Sequence, residues 1–91
     1  MEDKMLRNAD ALFNMVHQEN LRQLKKWGVQ NCSPFEWLAY ATEEHGEMAK
    51  AICEQAYRGG PASNIVAEAI QTATLCLKIA EMYMEDTDEQ G

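Results

Sequence analysis

The sequence predicts an all-α fold with three main helices per chain, a helical bundle that is completed by oligomerisation. Apolar residues recur at helical spacings of three and four, strand-like alternation is absent, and the third helical segment is apolar nearly all round. At 91 residues the chain is expected to form a single domain over 1–91. A helical domain of this size buries a small core, so we expect partner chains to cover part of it.

The first helix is predicted over about residues 3–26. This stretch contains no Gly or Pro, and Gly28 follows it as a stop signal. The apolar residues of the segment recur at spacings of three and four: Leu6, Ala9, Phe13 and Val16.

The second helix is predicted over about residues 34–57 and has the best-marked start in the chain. Ser33 is the expected N-cap, Pro34 the first helical residue and Glu36 the reciprocal acid of a capping box. The next four residues, Arg-Gly-Gly-Pro, end the helix. A connection this short predicts an antiparallel hairpin with the helix that follows.

The third helix is predicted over about residues 63–85, with Ser63 or Asn64 as its cap, and residues 86–91 are expected to be frayed. Two other helices from one chain can hardly cover a helix that is apolar on most faces. We therefore expect a homodimer or a homotetramer.

Charge and cysteine content restrict the class of partner and the compartment. The formal net charge is −7, and such a field repels nucleic acids and anionic membranes, so we expect neither as a partner. The three cysteines are widely spaced and form no CxxC pair, which argues against disulfides and structural zinc. Reduced thiols and apolar runs too short to span a membrane predict a cytoplasmic protein.

Two acidic features predict a metal site. Glu43, Glu44 and Glu47 form an EExxE pattern in which Glu44 and Glu47 lie about one helical turn apart. A Glu-rich chain produces this pattern easily by chance, and a solvated acidic face is the competing interpretation. Glu68 is the more informative residue, because a lone carboxylate on an apolar stripe needs a compensating partner.

The predicted hairpin brings these acids toward one another. Glu47 and Glu68 fall near the same height, and Gln71 can reach the same point from the next turn. Converging carboxylates repel one another unless a hard cation lies between them, and Mg²⁺ suits all-oxygen ligands. The sequence therefore predicts a Mg²⁺ site where these acids converge, with Mn²⁺ as a substitute for Mg²⁺.

Two segments resemble the MazG-like all-α nucleotide pyrophosphohydrolases, particularly their small single-domain branch: KWGxQNxSPxEWLA from Lys26 and TEExGExAKA from Thr42. The similarity covers about residues 22–82. It implies a helical dimer or tetramer that holds Mg²⁺ with EExxE on one helix and ExxD on the next. It also implies cleavage of a nucleoside triphosphate to the monophosphate and pyrophosphate.

The resemblance assigns a role to each acid. Glu44, Glu47 and Glu68 match metal ligands, and Glu43 matches the first acid of the motif, which would orient or deprotonate the attacking water. The fourth ligand position departs from the general pattern, because the last residue of ExxD is Gln71 here, as it tends to be in the small single-domain branch. Loss of that charge is expected to weaken metal affinity.

Other residues have competing interpretations. Trp27, Lys26 and Lys50 are candidate substrate-binding residues, through base stacking and phosphate contacts. A core-closing aromatic residue and ordinary surface cations are the alternatives. His45 falls on a stripe with Leu38, where a packed core imidazole is the preferred interpretation.

A catalytically silent helical oligomer that binds nucleotide or a protein partner is the rival function. A third reading is a plain interaction module in which a lysine of another subunit neutralises Glu68.

Overall fold

The chain forms three α-helices in a computed structural model that describes residues 6–84. Helix α1 spans Ala9–Trp27, α2 spans Pro34–Arg58 and α3 spans Ala62–Met84. No strand occurs in this part of the chain. The prediction of an all-α fold with three main helices is therefore confirmed.

Helix α3 lies at the centre of the arrangement. It packs along α2 in a hairpin closed by a three-residue connection, and its other side contacts α1. Within the described residues, α1 and α2 make no close backbone contact with each other. A cleft therefore opens between α1 and α2 with α3 beneath it.

The junctions before and after α2 follow the predicted turn chemistry. The Ser33 hydroxyl accepts from the Glu36 backbone N–H at 3.2 Å, and the Glu36 carboxylate accepts from the Ser33 N–H at 2.7 Å, so the capping box is confirmed. Gly59 ends the helix in the left-handed conformation with φ of 70°, which a residue with a Cβ adopts at a cost. The hairpin turn is thus specified locally.

Two helix starts differ from the sequence prediction. Within the described residues helix α1 begins at Ala9, and Leu6 before it is exposed. The first three positions of the predicted helix, residues 3–5, lie outside the described residues. Helix α3 begins at Ala62, where the carbonyl of Pro61 accepts from the Asn64 N–H at 3.1 Å. Ser63 and Asn64 therefore lie inside the first turn of α3. The predicted frayed segment 86–91 lies outside the described residues.

The buried stripe of α2 is shifted by one residue from the stripe that contains Leu38. Its members recur at spacings of three and four: Trp37, Ala41, Glu44, Met48 and Ala51. Leu38 and His45 are both exposed, so the interpretation of His45 as a packed core residue is wrong for this chain. The consequence for function is that Glu44 lies in the middle of the face that packs on α3.

The stripe by which α1 meets α3 also changes character along its length. It runs through Ala9, Leu12, Val16, Glu19 and Gln23. The first three residues are apolar, whereas Glu19 and Gln23 are polar and buried, with only 9% and 5% of their surface exposed. The C-terminal half of α1 therefore presents Glu19 and Gln23 beside α3, and we call this polar surface of α1 the polar wall.

The apolar core is small. It consists of Trp37, Ala41 and Leu75, with Cys32 and Ile79 packed against it. Many large apolar side chains remain exposed, among them Phe13, Phe35, Leu38, Ile52, Leu77 and Tyr83. A single chain therefore leaves much apolar surface uncovered.

None of the helices within residues 6–84 has the length and apolar character needed to cross a membrane.

Cys32, Cys53 and Cys76 are unpaired thiols in the structure.

Candidate functional site

A cavity of about 290 Å³ lies in the cleft between α1 and α2. Helix α1 provides its polar wall, α2 provides aromatic and acidic residues, and α3 provides the floor. The lining residues are Glu19, Arg22, Gln23, Trp27, Gln30, Trp37, Tyr40, Glu43, Glu44, Gln71 and Leu75.

Glu44, Glu68 and Gln71 meet where α2 packs on α3. With its amide nitrogen turned toward the two acids, Gln71 donates to Glu44 Oε1 at 2.8 Å and to Glu68 Oε1 at 3.3 Å. All three side chains are half-buried. The structure therefore brings together three of the four residues predicted as metal ligands.

The contact between two carboxyl groups changes the protonation of Glu44. Burial, a hydrogen bond with Glu68 and the charges of Glu68, Glu43 and Glu47 raise the pKa of Glu44 to about 7. Near neutral pH the pair therefore holds a proton for part of the time. This proton is one that a bound cation would displace.

The other two acids of the EExxE pattern point to different surroundings. Glu43 lines the cavity and is exposed, so it faces any molecule that enters. Glu47 is exposed and does not line the cavity, although its charge acts on Glu44. Within residues 6–84, no three His, Cys, Asp or Glu side chains are grouped as a metal site.

The three candidate substrate-binding residues occupy different positions. Trp27 is half-exposed and lines the cavity, with the Lys26 ammonium 4.8 Å from its ring centroid. Lys26 and Lys50 are exposed and are not part of the lining. Of the other aromatic residues, Trp37 is buried in the core and meets Tyr40 edge-on at 6.1 Å between ring centroids.

The polar wall of the cavity on α1 is not among the residues predicted from the sequence. Glu19 accepts from Arg22 Nε at 2.9 Å, from Arg22 Nη2 at 2.7 Å and from Gln23 Nε2 at 2.6 Å. The bond to Arg22 lowers the pKa of Glu19, although burial works in the opposite direction. Glu19 is therefore a buried, ionised carboxylate with its partners in place.

Lys78 connects this wall to the rest of the fold. Its ammonium donates to Gln23 Oε1 and lies 4.8 Å from the centroid of the Trp37 ring. Burial lowers the pKa of Lys78, while the charge of Glu19 opposes that change. Through these contacts the side chains of α1 are positioned by α3 and α2.

The stripe pattern contains the signal that would have found Glu19. Glu19 and Gln23 continue the spacing of Ala9, Leu12 and Val16, so they are polar residues on an otherwise apolar stripe. The same pattern identifies Glu68 on α3. In the structure, each helix carries one acid on its packing face: Glu19, Glu44 and Glu68.

Comparisons with protein-family models, curated proteins and solved structures found no match to this chain.

Proposed function

We propose that this protein is a Mg²⁺-dependent nucleoside triphosphate pyrophosphohydrolase that releases pyrophosphate and a nucleoside monophosphate. The observation that carries the proposal is the group Glu44, Glu68 and Gln71, whose first and third members also line a cavity with aromatic side chains. The resemblance of residues 22–82 to the MazG-like enzymes points to the same activity.

The donor set fits a magnesium ion. Mg²⁺ commonly uses one or two carboxylates and fills its remaining positions with water and substrate phosphates. Glu44 and Glu68 would supply two carboxylates, and Gln71 would supply its amide oxygen after rotating its last torsion. Glu47 would approach from outside the cavity. A bound ion would offset phosphate charge, which this acidic chain otherwise repels.

The remaining roles belong to side chains that line the cavity. Glu43 would accept a proton from water as the water oxygen bonds to the α-phosphorus. The bond from that phosphorus to the bridging oxygen breaks, and pyrophosphate leaves with the bonding electrons. Trp27 would stack on the base, and Lys26 and Lys50 would act at longer range on the phosphate chain. Unpaired thiols suit a cytoplasmic setting.

Pyrophosphate release tests the proposed activity. Purified protein is incubated with a panel of ribonucleoside and deoxyribonucleoside triphosphates and Mg²⁺ or Mn²⁺. We expect pyrophosphate from at least one substrate, and a loss of about 100-fold or more in Glu68→Gln because the site loses a charged ligand. Glu81→Gln is the matched control, since it removes one exposed acid from the same helix. Absence of pyrophosphate above the Glu68→Gln level on every nucleotide would refute the activity.

One observation favours the rival, a catalytically silent nucleotide-binding or partner-binding oligomer. Gln71 can donate to both carboxyl groups, so the pair is stabilised without a metal ion. The rival predicts that a nucleotide raises the melting temperature without releasing pyrophosphate. The pyrophosphate assay and a melting curve on the same sample therefore distinguish the two functions.

The proposed enzyme is a homodimer or homotetramer. Support comes from a second stripe on α2, next to the buried one, whose members recur at spacings of three and four: Phe35, Leu38, Thr42, His45, Ala49 and Ile52. Phe35, Leu38 and Ile52 are large apolar residues with 81%, 55% and 47% of their surface exposed. Such a stripe is typical of a helix that packs against a second helix.

Light scattering after size exclusion tests this assembly. We expect a mass of two or four chains for the wild type and a shift toward the single chain for Leu38→Glu, because a charge in an apolar interface is costly to bury. Val29→Glu places the same charge on an exposed apolar residue of the loop before α2 and should leave the mass unchanged. A monomeric wild type across the concentration range would contradict the assembly.

A further inference from the structure

The polar wall of the cavity includes a positively charged side chain, Arg22, which has no role in the proposed metal site. Arg22 is the only Lys or Arg among the described residues that line the cavity. It lies on α1, whereas Glu44 lines the same cavity from α2, and the charge of Glu44 contributes to raising the pKa of Arg22. The cavity thus has an acidic side and a basic side.

The guanidinium group is held in one orientation. Glu19 engages Nε and Nη2 in a two-point contact, with distances of 2.9 and 2.7 Å. Within the described residues Nη1 forms no hydrogen bond, so its donors remain available to a ligand. Planar guanidinium groups bind phosphate through paired N–H donors. Arg22 lines the cavity and still has N–H donors that Glu19 does not use.

Glu19 is itself fixed by contacts outside the ion pair. It is almost fully buried and accepts from Gln23, which in turn accepts from Lys78. An exposed ion pair within one helix would leave both side chains free to change rotamer. Here a buried acid positions a half-exposed arginine, the arrangement expected of a binding residue that is organised before its ligand arrives.

We infer that Arg22 binds the phosphate chain of the nucleotide on the wall opposite the carboxylate pair, and that Glu19 is its positioning residue. This inference rests on the proposed function, because it requires a phosphorylated ligand in the cavity. The phosphate chain would lie between Arg22 on α1 and a cation held by α2 and α3. Arg22 would therefore favour a triphosphate over the corresponding nucleoside.

Binding without turnover tests the assignment. The probe is a nucleoside triphosphate with a methylene group between the α- and β-phosphorus, titrated calorimetrically with Mg²⁺ present, using the nucleotide that the wild type binds best. We expect Arg22→Gln to weaken binding about 10- to 100-fold, the range typical of a lost charged hydrogen bond. In Arg22→Gln the affinity for the nucleoside alone should change less than twofold. A merely structural role of Arg22 would instead lower the affinity for the triphosphate and for the nucleoside alike.

Three further variants complete the test. Arg22→Lys keeps the positive charge but has a single ammonium group in place of the paired donors, so it should lose part of the affinity. Glu19→Gln should weaken binding of the triphosphate while keeping Arg22. Lys25→Gln removes a charge from an exposed position of α1 that does not line the cavity and should have no effect.

The outcomes separate this inference from the function on which it rests. A wild type that binds no methylene analogue with Mg²⁺ or Mn²⁺ overturns the proposed function. If the wild type binds the analogue, and Arg22→Gln and Arg22→Lys bind it with the affinity of the wild type, only the assignment of Arg22 is overturned. Equal losses for triphosphate and nucleoside also overturn it, because they indicate a structural role.

Discussion

Glu44→Gln is expected to stabilise the protein at pH 8 in the absence of metal, by up to about 3 kcal/mol. The folded state raises the pKa of Glu44 to about 7, from 4.5 in an unperturbed side chain. Between these values the folded chain binds more protons than the unfolded chain, so its stability falls as the pH rises. The substituted amide carries no charge and can still bond to Glu68.

The pH profile of the free energy of unfolding provides the measurement. Urea denaturation at pH 5, 6, 7 and 8, at one protein concentration, should show the two proteins diverging as pH rises from 4.5 to 7 and running parallel above it. Glu81→Gln should track the wild type, because it removes an exposed acid at the other end of α3. If Glu44→Gln also tracks the wild type, Glu44 and Glu68 are not in contact.

Glu43→Gln is expected to lower the rate of pyrophosphate release by about 100- to 10,000-fold, the range for loss of a general base. Glu43 lines the cavity but does not belong to the Glu44, Glu68 and Gln71 group. Its removal should therefore leave Mn²⁺ affinity within a few-fold of the wild-type value. Steady-state kinetics with Mn²⁺ titrations on the same preparation would measure both quantities.

Glu47→Gln is the matched comparison, because it removes an acid three residues along the chain from Glu44 that is exposed and outside the cavity. It should weaken metal binding and slow the reaction only at limiting metal. If Glu43→Gln and Glu47→Gln lose rate and metal affinity in parallel, Glu43 is a ligand and another group takes the proton.

Local sequence signals predicted the helix junctions because those junctions depend on few residues. The capping box of Ser33 and Glu36 needs only the side chains within one turn, and Gly59 supplies the left-handed residue that ends α2. The start of α3 was harder to place. Pro61 opens the helix through its carbonyl group, so no side-chain cap at Ser63 or Asn64 marks the start.

The packing faces were predictable only where the composition was unambiguous. Glu68 stood out because its stripe on α3 is otherwise apolar. Helix α2 carries two neighbouring apolar stripes, and periodicity alone does not tell which of them faces α3. For this reason the sequence favours His45 as a core residue, whereas the structure has Glu44 on the buried face and exposes His45.

Long-range contacts account for the part of the site that the sequence did not predict. Lys78 reaches Gln23 across 55 positions of the chain, and the wall formed by Glu19 and Arg22 exists only because α1 lies beside α3. The spacing of residues within one helix does not show which other helix packs beside it. The fold therefore adds Glu19 and Arg22 to a cavity that Glu43 and Glu44 line from α2.

Mn²⁺ binding with simultaneous measurement of proton release is the most direct test of the metal site. At pH 7 the carboxyl pair holds a proton in part of the molecules, and a cation must displace it. We expect saturable Mn²⁺ binding that releases a fraction of a proton, and loss of both signals in Glu68→Gln but not in Glu81→Gln. A wild type that binds no Mn²⁺, with or without the methylene analogue, would contradict the proposed metal site.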